Sequence, residues 1–232
     1  MIAVLLIGCK RTHPSHDLDL DLVRVSTDAR LRTDTVGGAK ATYPIAPGAI
    51  PEIREYLAGL DAGHQFTGEA TFVLVDAENT STDGANITLG GDLRDATGTS
   101  VGYLKPESLW VPAGQQRTFA LVDTERKARP TASAAHLVVR GAVIPAEPPL
   151  ARIEEPKTYD DYGKMVLQGT LINDADKRGQ IVVFASFHDA GGRPMSRPFS
   201  LVAAEPHSRT PIQLVGPQGS THGTLYVGET LY

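Results

Sequence analysis

Two aspartates give this sequence its nearest approach to a metal-binding motif. Asp174, Asp176 and Gly179 have the D-x-D-x-x-G spacing with which a calcium loop begins. Such a loop needs an acidic residue at its twelfth position, which binds the ion through both carboxylate oxygens, but Ala185 stands there. The pair also occupies the position that a turn after Asn79 occupies earlier in the chain. We therefore interpret the stretch as a turn and expect no metal site.

Three further carboxylates alternate with leucines near the N-terminus. Residues 17–25 alternate strictly between polar and apolar side chains, which predicts a half-buried strand with Leu18, Leu20 and Leu22 facing inward. The three intervening aspartates would line the outer face of that strand. Because Ca²⁺ needs oxygen ligands from several directions, one strand face cannot enclose the ion, and we interpret these aspartates as solvated.

The sequence singles out no catalytic group. No serine has a G-x-S-x-G setting, and neither phosphate-binding glycine motif is present. His13 and His16 could share a metal but lie in a presumed tether, and His188 precedes Asp189 at a predicted strand end, where we expect solvent contact. A pair of carboxylates for glycoside hydrolysis needs only to be close in space, so the sequence leaves that open. We predict a non-catalytic protein without a cofactor.

Trp110 is the single tryptophan and the best candidate for contact with a partner or a glycan. It lies between Leu109 and Val111 on a predicted strand, so it faces outward if those two side chains face the core. An outward tryptophan can anchor a partner or stack on a sugar ring. The alternative is that it covers the edge of its own module or meets the predicted helix at 51–60.

Composition and charge exclude several classes of protein. The chain has a net charge of −5 and its Lys and Arg residues are scattered, whereas nucleic-acid binding requires a basic surface. With Cys9 as the single cysteine, neither a disulfide framework nor a cysteine-based zinc site can form. No apolar run reaches the length of a transmembrane helix.

One pattern of turns and strands occurs twice, 94 positions apart. Asn79 and the turn at Asp95 in the first copy correspond to Asn173 and the turn at Asp189 in the second, with alternating apolar residues between them. A tandem repeat of this size indicates two copies of one module. Gly-rich and Pro-rich turns between short apolar stretches indicate that both modules are β-sandwiches.

The repeat leads to an all-β fold of two tandem immunoglobulin-like antiparallel sandwiches. We expect a signal-like segment at 1–9, a tether at 10–16, a first module at 17–144, a Pro-rich linker at 145–157 and a second module at 158–232. The predicted strands are residues 71–78, 87–93, 101–111, 117–122, 135–143, 164–173, 180–188, 194–203, 209–215 and 223–231. One short amphipathic helix near 51–60 precedes the main strands of the first module.

The N-terminus resembles the lipobox of bacterial lipoproteins. A short apolar segment ends in Leu6, Ile7 and Gly8 before Cys9, the position at which the thiol of such proteins receives its lipid. The apolar run is short and no basic residues precede it, which departs from an ordinary signal peptide. The resemblance implies attachment to a membrane through lipid on Cys9. The alternative is a buried first strand with an ordinary buried cysteine.

The second module resembles the FxLyD-type β-sandwich. The features that carry this resemblance are Asn173, the aromatic-x-Asp-x-x-Gly stretch that begins at Phe187, and the Pro206 turn. The first copy has Leu93 in place of the aromatic residue. The chain is also similar to small uncharacterised Gram-negative envelope lipoproteins, in which one such sandwich follows a lipidated cysteine. These resemblances imply a location in the cell envelope, facing the periplasm or held at the outer membrane, and a binding role.

Three roles follow as hypotheses. The first is an envelope-anchored protein-protein interaction or assembly module with an unidentified envelope partner. The second is a glycan-binding or peptidoglycan-binding module that uses Trp110. The third is a structural subunit of a larger surface, secretion or phage assembly.

Overall fold

The computed structural model describes residues 14–35 and 69–232. The lipobox with Cys9, residues 10–13 of the predicted tether and the predicted helix at 51–60 lie outside the described residues. The described elements are β-strands apart from one 3-10 turn at Leu20–Leu22, which confirms the all-β fold class. In these two ranges no helix has the length and apolar character needed to cross a bilayer.

The N-terminal half of the chain forms two antiparallel sheets. Sheet A contains, from edge to edge, β1 (His16–Asp17), β8 (Ala134–Ile144), β5 (Ala85–Arg94) and β6 (Ser100–Val111). The centre of sheet B is β4 (Glu69–Asn79), which pairs with β7 (Gln116–Val122) on one edge and with β2 (Val23–Val25) and β3 (Arg30–Thr35) on the other.

The C-terminal half forms two more antiparallel sheets. Sheet C contains, from edge to edge, β14 (Arg209–Gln218), β10 (Lys164–Asn173) and β9 (Ala151–Asp161). The centre of sheet D is β11 (Gly179–His188), which pairs with β15 (His222–Leu231) on one edge and with β12 (Pro194–Ser196) and β13 (Phe199–Ala204) on the other. The ten strands predicted from the sequence are all present, with β12 and β13 together covering one predicted strand.

The two halves share one topology, as the repeat predicts. β5 and β11 begin 94 residues apart, at Ala85 and Gly179, and β6 and β12 begin with the same offset, at Ser100 and Pro194. In each half the strand that ends at the repeated asparagine is the centre of one sheet, and the strand that follows is the centre of the other.

The repeated asparagines perform the same structural task in both halves. Both are fully buried, and each donates from its amide nitrogen to the carbonyl oxygens of two residues that lie 4 and 32 positions later. In the first half these are Asp83 and Val111, at 2.7 and 3.0 Å from Asn79. Each side-chain oxygen also accepts a hydrogen bond from the backbone N–H two residues on. The asparagine therefore ties two chain reversals to one strand end.

The Asp-x-x-Gly turns match as well. The carboxylates of Asp95 and Asp189 accept hydrogen bonds from the backbone N–H groups two and four residues later. Gly98 and Gly192 close these turns at φ values of 83° and 75°, which glycine adopts without steric cost.

The prediction of one strand over 17–25 is wrong. The Asp19 carboxylate accepts a hydrogen bond from the backbone N–H of Asp21, which starts the 3-10 turn and carries the chain from the edge of sheet A to the edge of sheet B. As a result Leu18 is buried, whereas Leu20 and Leu22 are exposed.

The predicted linker also differs from the structure, since residues 151–157 belong to β9. Ala151 pairs with Asn173, and Lys157 pairs with Gln168. Pro156 is accommodated because β9 is an edge strand with a β-bulge at this point, where Glu155 has a φ of 51°. The segment between the last strand of the N-terminal half and β9 is therefore only residues 145–150.

Each half has a core of its own, and a further buried layer joins the halves. Sheets A and B enclose one cluster of apolar side chains, and sheets C and D enclose another. The central strands β4 and β11 are buried on both faces, because sheet B also packs against sheet D. The layers therefore follow the order A, B, D, C, and the B–D contact is called the junction below.

Candidate functional site

Polar side chains from both halves meet inside the junction. The Nε2 atom of His188, on β11, lies 2.9 Å from a carboxylate oxygen of Asp76, on β4. The Thr118 hydroxyl, on β7, donates to the other carboxylate oxygen over 2.5 Å. All three side chains are buried. The expectation that His188 is a solvated strand end is wrong, because sheet B covers the end of β11.

This triad of residue types does not have the arrangement of an activated nucleophile. The Thr118 proton points to Asp76, and the Thr118 oxygen is 3.5 Å from Nε2 of His188, which is the nitrogen that faces the carboxylate. A general base would instead have to accept the hydroxyl proton. The arrangement satisfies buried polar groups and fixes the register of sheet B on sheet D.

A second pair joins the two halves close by, between Glu107 on β6 of sheet A and Arg197 between β12 and β13. The guanidinium of Arg197 donates to both carboxylate oxygens of Glu107, at 2.6 and 3.0 Å, and to the Thr118 carbonyl oxygen at 3.1 Å. Its Cζ atom also lies 4.2 Å from the ring centroid of Phe184. Burial is the largest influence on the pKa of Arg197 and lowers it, but the interactions with Glu107 and Tyr226 together raise that pKa. The bidentate pair lies within the fold, and the Nε atom of Arg197 is buried without a hydrogen-bond partner among the described residues.

Tyr226 lies at the centre of the same layer. Its hydroxyl donates to the Thr118 carbonyl oxygen at 2.8 Å, and its ring is tilted by 45° to that of Phe184, with 5.8 Å between the centroids. Burial raises the pKa of the Tyr226 phenol to about 12. The residue therefore joins β15 to β7 through a hydrogen bond and through apolar packing.

Arg117 differs from Arg197 in having no acidic partner. It is 8% exposed, and it donates to the Gln116 carbonyl oxygen and to the Gln115 side-chain oxygen, both at 2.8 Å. Its guanidinium lies 4.9 Å from the Tyr226 ring centroid, and its Nε is buried without a partner. Among the described residues no carboxylate neutralises it. Burial lowers the pKa of Arg117 below its usual value.

Arg117 and Trp110 line the same cleft at one side of the junction. The cleft has a volume of about 480 Å³, which is within the range of sites for small ligands. Its walls come from the end of β6, the start of β7 and strands β9, β10 and β15, so both halves contribute. Its polar lining includes Lys157, Gln168 and Thr224. We call it the Trp110 cleft.

The position of Trp110 follows from the strand pattern. Leu109 and Val111 are buried in the core between sheets A and B, so Trp110 faces outward as the alternation predicts. Its ring lies against Gly84, where an added Cβ would come within 2.3 Å of the ring. None of the described residues accepts a hydrogen bond from the indole N–H. Trp110 is thus held against the backbone at Gly84 and half-buried, and its indole N–H has no acceptor among the described residues.

A wider apolar groove lies elsewhere along the junction. Its volume is about 870 Å³, and its lining includes Phe72, Leu74, Val182, Phe199 and Val215. Of these, Val215 is 47% exposed. Sequence reasoning had indicated neither groove, because both are formed by residues from the two halves.

The remaining sequence candidates do not come together. Asp174 pairs with Arg152 and Asp176 with His207, which confirms that the stretch is a turn closed by Asn173. Within residues 14–35 and 69–232 no cluster of three His, Cys, Asp or Glu side chains could hold a metal ion.

Sequence reasoning missed the junction residues although a weak signal for them exists. Asp76 lies within the largely apolar β4, and His188 ends the largely apolar β11. A charged or titratable side chain in such a position must face either solvent or a polar partner. The sequence does not tell whether such a side chain faces solvent or a partner, because the partner lies more than 100 residues away.

Comparisons with known proteins do not assign this chain to a family. No protein-family model and no curated protein matches the sequence. Red sea bream transglutaminase aligns over 77% of this chain and 32% of its own, with 12% identity and a TM-score of 0.22. The CBM22-1–CBM22-2 tandem domain of Paenibacillus barcinonensis Xyn10C aligns over 92% and 88%, with 10% identity and a TM-score of 0.13. The chain spans about a third of the transglutaminase, and scores this low carry no argument.

Proposed function

We propose that this protein is a non-catalytic glycan-binding protein, which takes a short stretch of saccharide into the Trp110 cleft. The observation that carries the proposal is the placement of the single tryptophan, half-buried, in the wall of a cleft of about 480 Å³. An aromatic ring offers a face for a sugar ring, and the amide and hydroxyl groups around it can bind sugar hydroxyls.

The size of the cleft favours a saccharide over a folded protein at this place. A stable protein interface buries about 800 Å² on each partner, most of it on flat or gently curved surface. A cleft of about 480 Å³ instead has room for a few rings of a chain molecule. Both halves line it, so the packing of sheet B on sheet D creates the binding surface.

Direct binding measurements test this proposal. Because Trp110 is the only tryptophan, its fluorescence reports on the cleft, and we expect a saccharide that binds there to shift or quench the emission. Retention on peptidoglycan sacculi and on acidic and neutral polysaccharides gives a second readout, in which Trp110→Ala is expected to lose binding about thirtyfold.

Tyr103→Ala is the matched control. Tyr103 is an aromatic residue of the same strand, is 68% exposed and lies outside the cleft. Its replacement should leave retention unchanged. Equal retention of wild type and Trp110→Ala on every polysaccharide would refute glycan binding at this cleft.

We also propose that the protein acts in the cell envelope, anchored through lipid on Cys9. The support is the lipobox-like sequence Leu6-Ile7-Gly8-Cys9 followed by polar residues. Metabolic labelling with a fatty-acid analogue should mark the wild-type protein and leave Cys9→Ala unlabelled. A soluble, unlabelled wild-type protein would contradict the anchor without bearing on the cleft.

A second candidate function is docking of an extended apolar segment of an envelope protein, either as an adaptor or within a larger surface, secretion or phage assembly. The wide groove favours it, since apolar side chains from both halves line the groove. Crosslinking in native cells, followed by pull-down and mass spectrometry, should recover one specific partner with wild type and less with Val215→Asp. Recovery of a stoichiometric complex would indicate a subunit of an assembly.

A further inference from the structure

The charges around the Trp110 cleft differ in sign from those of the protein as a whole. The chain carries a net charge of −5, yet the charged residues that line the cleft are Arg117, Arg152 and Lys157, with no carboxylate among the described lining residues. Arg152 is paired, because Glu154 and Asp174 both contact it. Arg117 and Lys157 have no ion-pair partner among the described residues.

The contrast between the two buried arginines of the junction is informative. Arg197 has both oxygens of Glu107, whereas Arg117 has only two neutral acceptors and a tyrosine ring. Removing a guanidinium from water without a counter-charge costs free energy, and buried arginines in folded proteins are usually paired. Because Arg117 has no counter-charge among the described residues and lies beside the cleft, an anion that entered the cleft would stabilise it.

The backbone directs Lys157 to the same place. β9 reaches the cleft through a β-bulge in which Glu155 has a φ of 51°, and Pro156 and Lys157 follow it in the cleft wall. Bulges commonly re-aim a side chain beside a functional site. Lys157 is exposed, so it can meet a ligand at the mouth of the cleft while Arg117 lies deeper.

We propose that the ligand of the Trp110 cleft is a carboxylate-bearing saccharide. A sugar ring lies against Trp110, Lys157 binds the carboxylate, and the positive charge of Arg117 stabilises it. This inference rests on the proposed glycan-binding function and narrows it to acidic glycans. The carboxylate can belong to a uronic acid or to the lactyl and peptide groups of peptidoglycan, and the two sources present the same chemistry to these cations.

The test compares acidic and neutral forms of one saccharide. Calorimetry is run with an oligogalacturonate, with the same oligosaccharide after carboxyl reduction, and with a disaccharide-pentapeptide muropeptide. We expect at least one acidic probe to bind, the reduced form to bind about tenfold more weakly, and added salt to weaken only the acidic probe. The acidic probe that binds identifies the source of the carboxylate.

Two lysine variants make the test specific. Lys157→Gln should lower affinity for the acidic probe about tenfold and leave the reduced probe unaffected, since the exposed side chain is not needed for folding. Lys164→Gln, an exposed lysine on β10 outside the cleft lining, should change neither.

The outcomes separate the two proposals. If Trp110→Ala abolishes binding but carboxyl reduction and Lys157→Gln have no effect, the glycan site stands and the acidic specificity is wrong. If no probe binds, or Trp110→Ala binds as well as wild type, both the proposed function and this inference fail.

Discussion

At the scale of single residues, the buried hydrogen-bonding side chains hold the fold together. Asn79 and Asn173 each bind two backbone carbonyls and one backbone N–H at a strand end. The Tyr226 hydroxyl and the Arg197 guanidinium both donate to the Thr118 carbonyl oxygen. Leaving such groups unsatisfied costs more than the net gain of forming an ordinary hydrogen bond.

The replacement Asn79→Ala should therefore destabilise the protein by roughly 1–3 kcal/mol, since the Val111 carbonyl loses its amide donor, whereas the Asp83 carbonyl still accepts from the Ser81 hydroxyl. Chemical denaturation measures the change. Asn86→Ala is the control, because Asn86 is exposed and should cost less than about 0.5 kcal/mol. Equal effects of the two replacements would contradict the role assigned to Asn79.

The buried phenol of Tyr226 predicts an alkaline loss of stability. Its pKa is raised from 10.0 to about 12 by burial, so folding favours the protonated form. This contribution is fully present below the unfolded-state pKa and is lost as pH rises through the folded-state pKa, a change of roughly 3 kcal/mol.

Urea denaturation of wild type and Tyr226→Phe at several pH values between 9 and about 12 checks this expectation. The variant loses the bond to Thr118 but should show a flatter dependence on pH. Parallel pH profiles for the two proteins would show that Tyr226 is not the titrating group.

At the scale of elements, sheets B and D depend on each other. β4 and β11 have no solvent-facing side in most of their length, and the Asp76–His188 pair replaces apolar contacts at one point between them. The two sheets therefore bury each other's central strands.

The Glu107–Arg197 pair tests this dependence. Glu107→Gln should destabilise the protein by roughly 3–5 kcal/mol, because it leaves the more buried member, Arg197, without its counter-charge. Arg197→Met should cost less, since Glu107 is partly exposed and still accepts from the Ala120 N–H.

Denaturation of both variants gives the order of the two effects. Arg24→Met, which breaks the exposed pair with Glu78, is the control and should change stability by less than about 1 kcal/mol. A larger loss for Arg197→Met than for Glu107→Gln would show that the carboxylate is the member that needs the pair.

At the scale of the whole molecule, the two halves pack together through the junction, and sheet A differs from its counterpart, sheet D. By the offset of 94, the junction residues Phe184 and Phe199 of sheet D correspond to Gly90 and Lys105 of sheet A, and His188 corresponds to Arg94. At these positions sheet A therefore carries no aromatic side chain like the two that sheet D brings to the junction.

Cleavage of the connecting segment should not separate the halves. A protease site introduced within residues 145–150 lies in an exposed stretch between β8 and β9. After cleavage we expect the two fragments to elute together in gel filtration, because the junction buries both apolar and paired polar groups. Elution as two separate fragments would show that the halves are tied by the segment alone. The same cleavage in the variant Glu107→Gln measures how far the Glu107–Arg197 pair contributes to the association of the two fragments.

The sequence by itself determined the strands, the turns and the repeat. Local rules are sufficient for these features: alternation predicts which residues of β5 or β6 face a core, and Asn, Asp and Gly predict where the chain reverses. The same rules gave the outward direction of Trp110. They failed at residues 17–25, where one hydrogen bond from Asp21 to Asp19 converts an alternating strand into a turn.

Only the tertiary structure decided which contacts the outward-facing side chains make. Whether Asp76 and His188 meet, whether Arg117 finds a carboxylate, and whether Trp110 faces solvent or a cleft all depend on how sheet B packs on sheet D. These contacts join residues that are far apart in the chain, so no local pattern encodes them. The candidate site therefore appears only when the two halves are packed together, since each half supplies part of its wall.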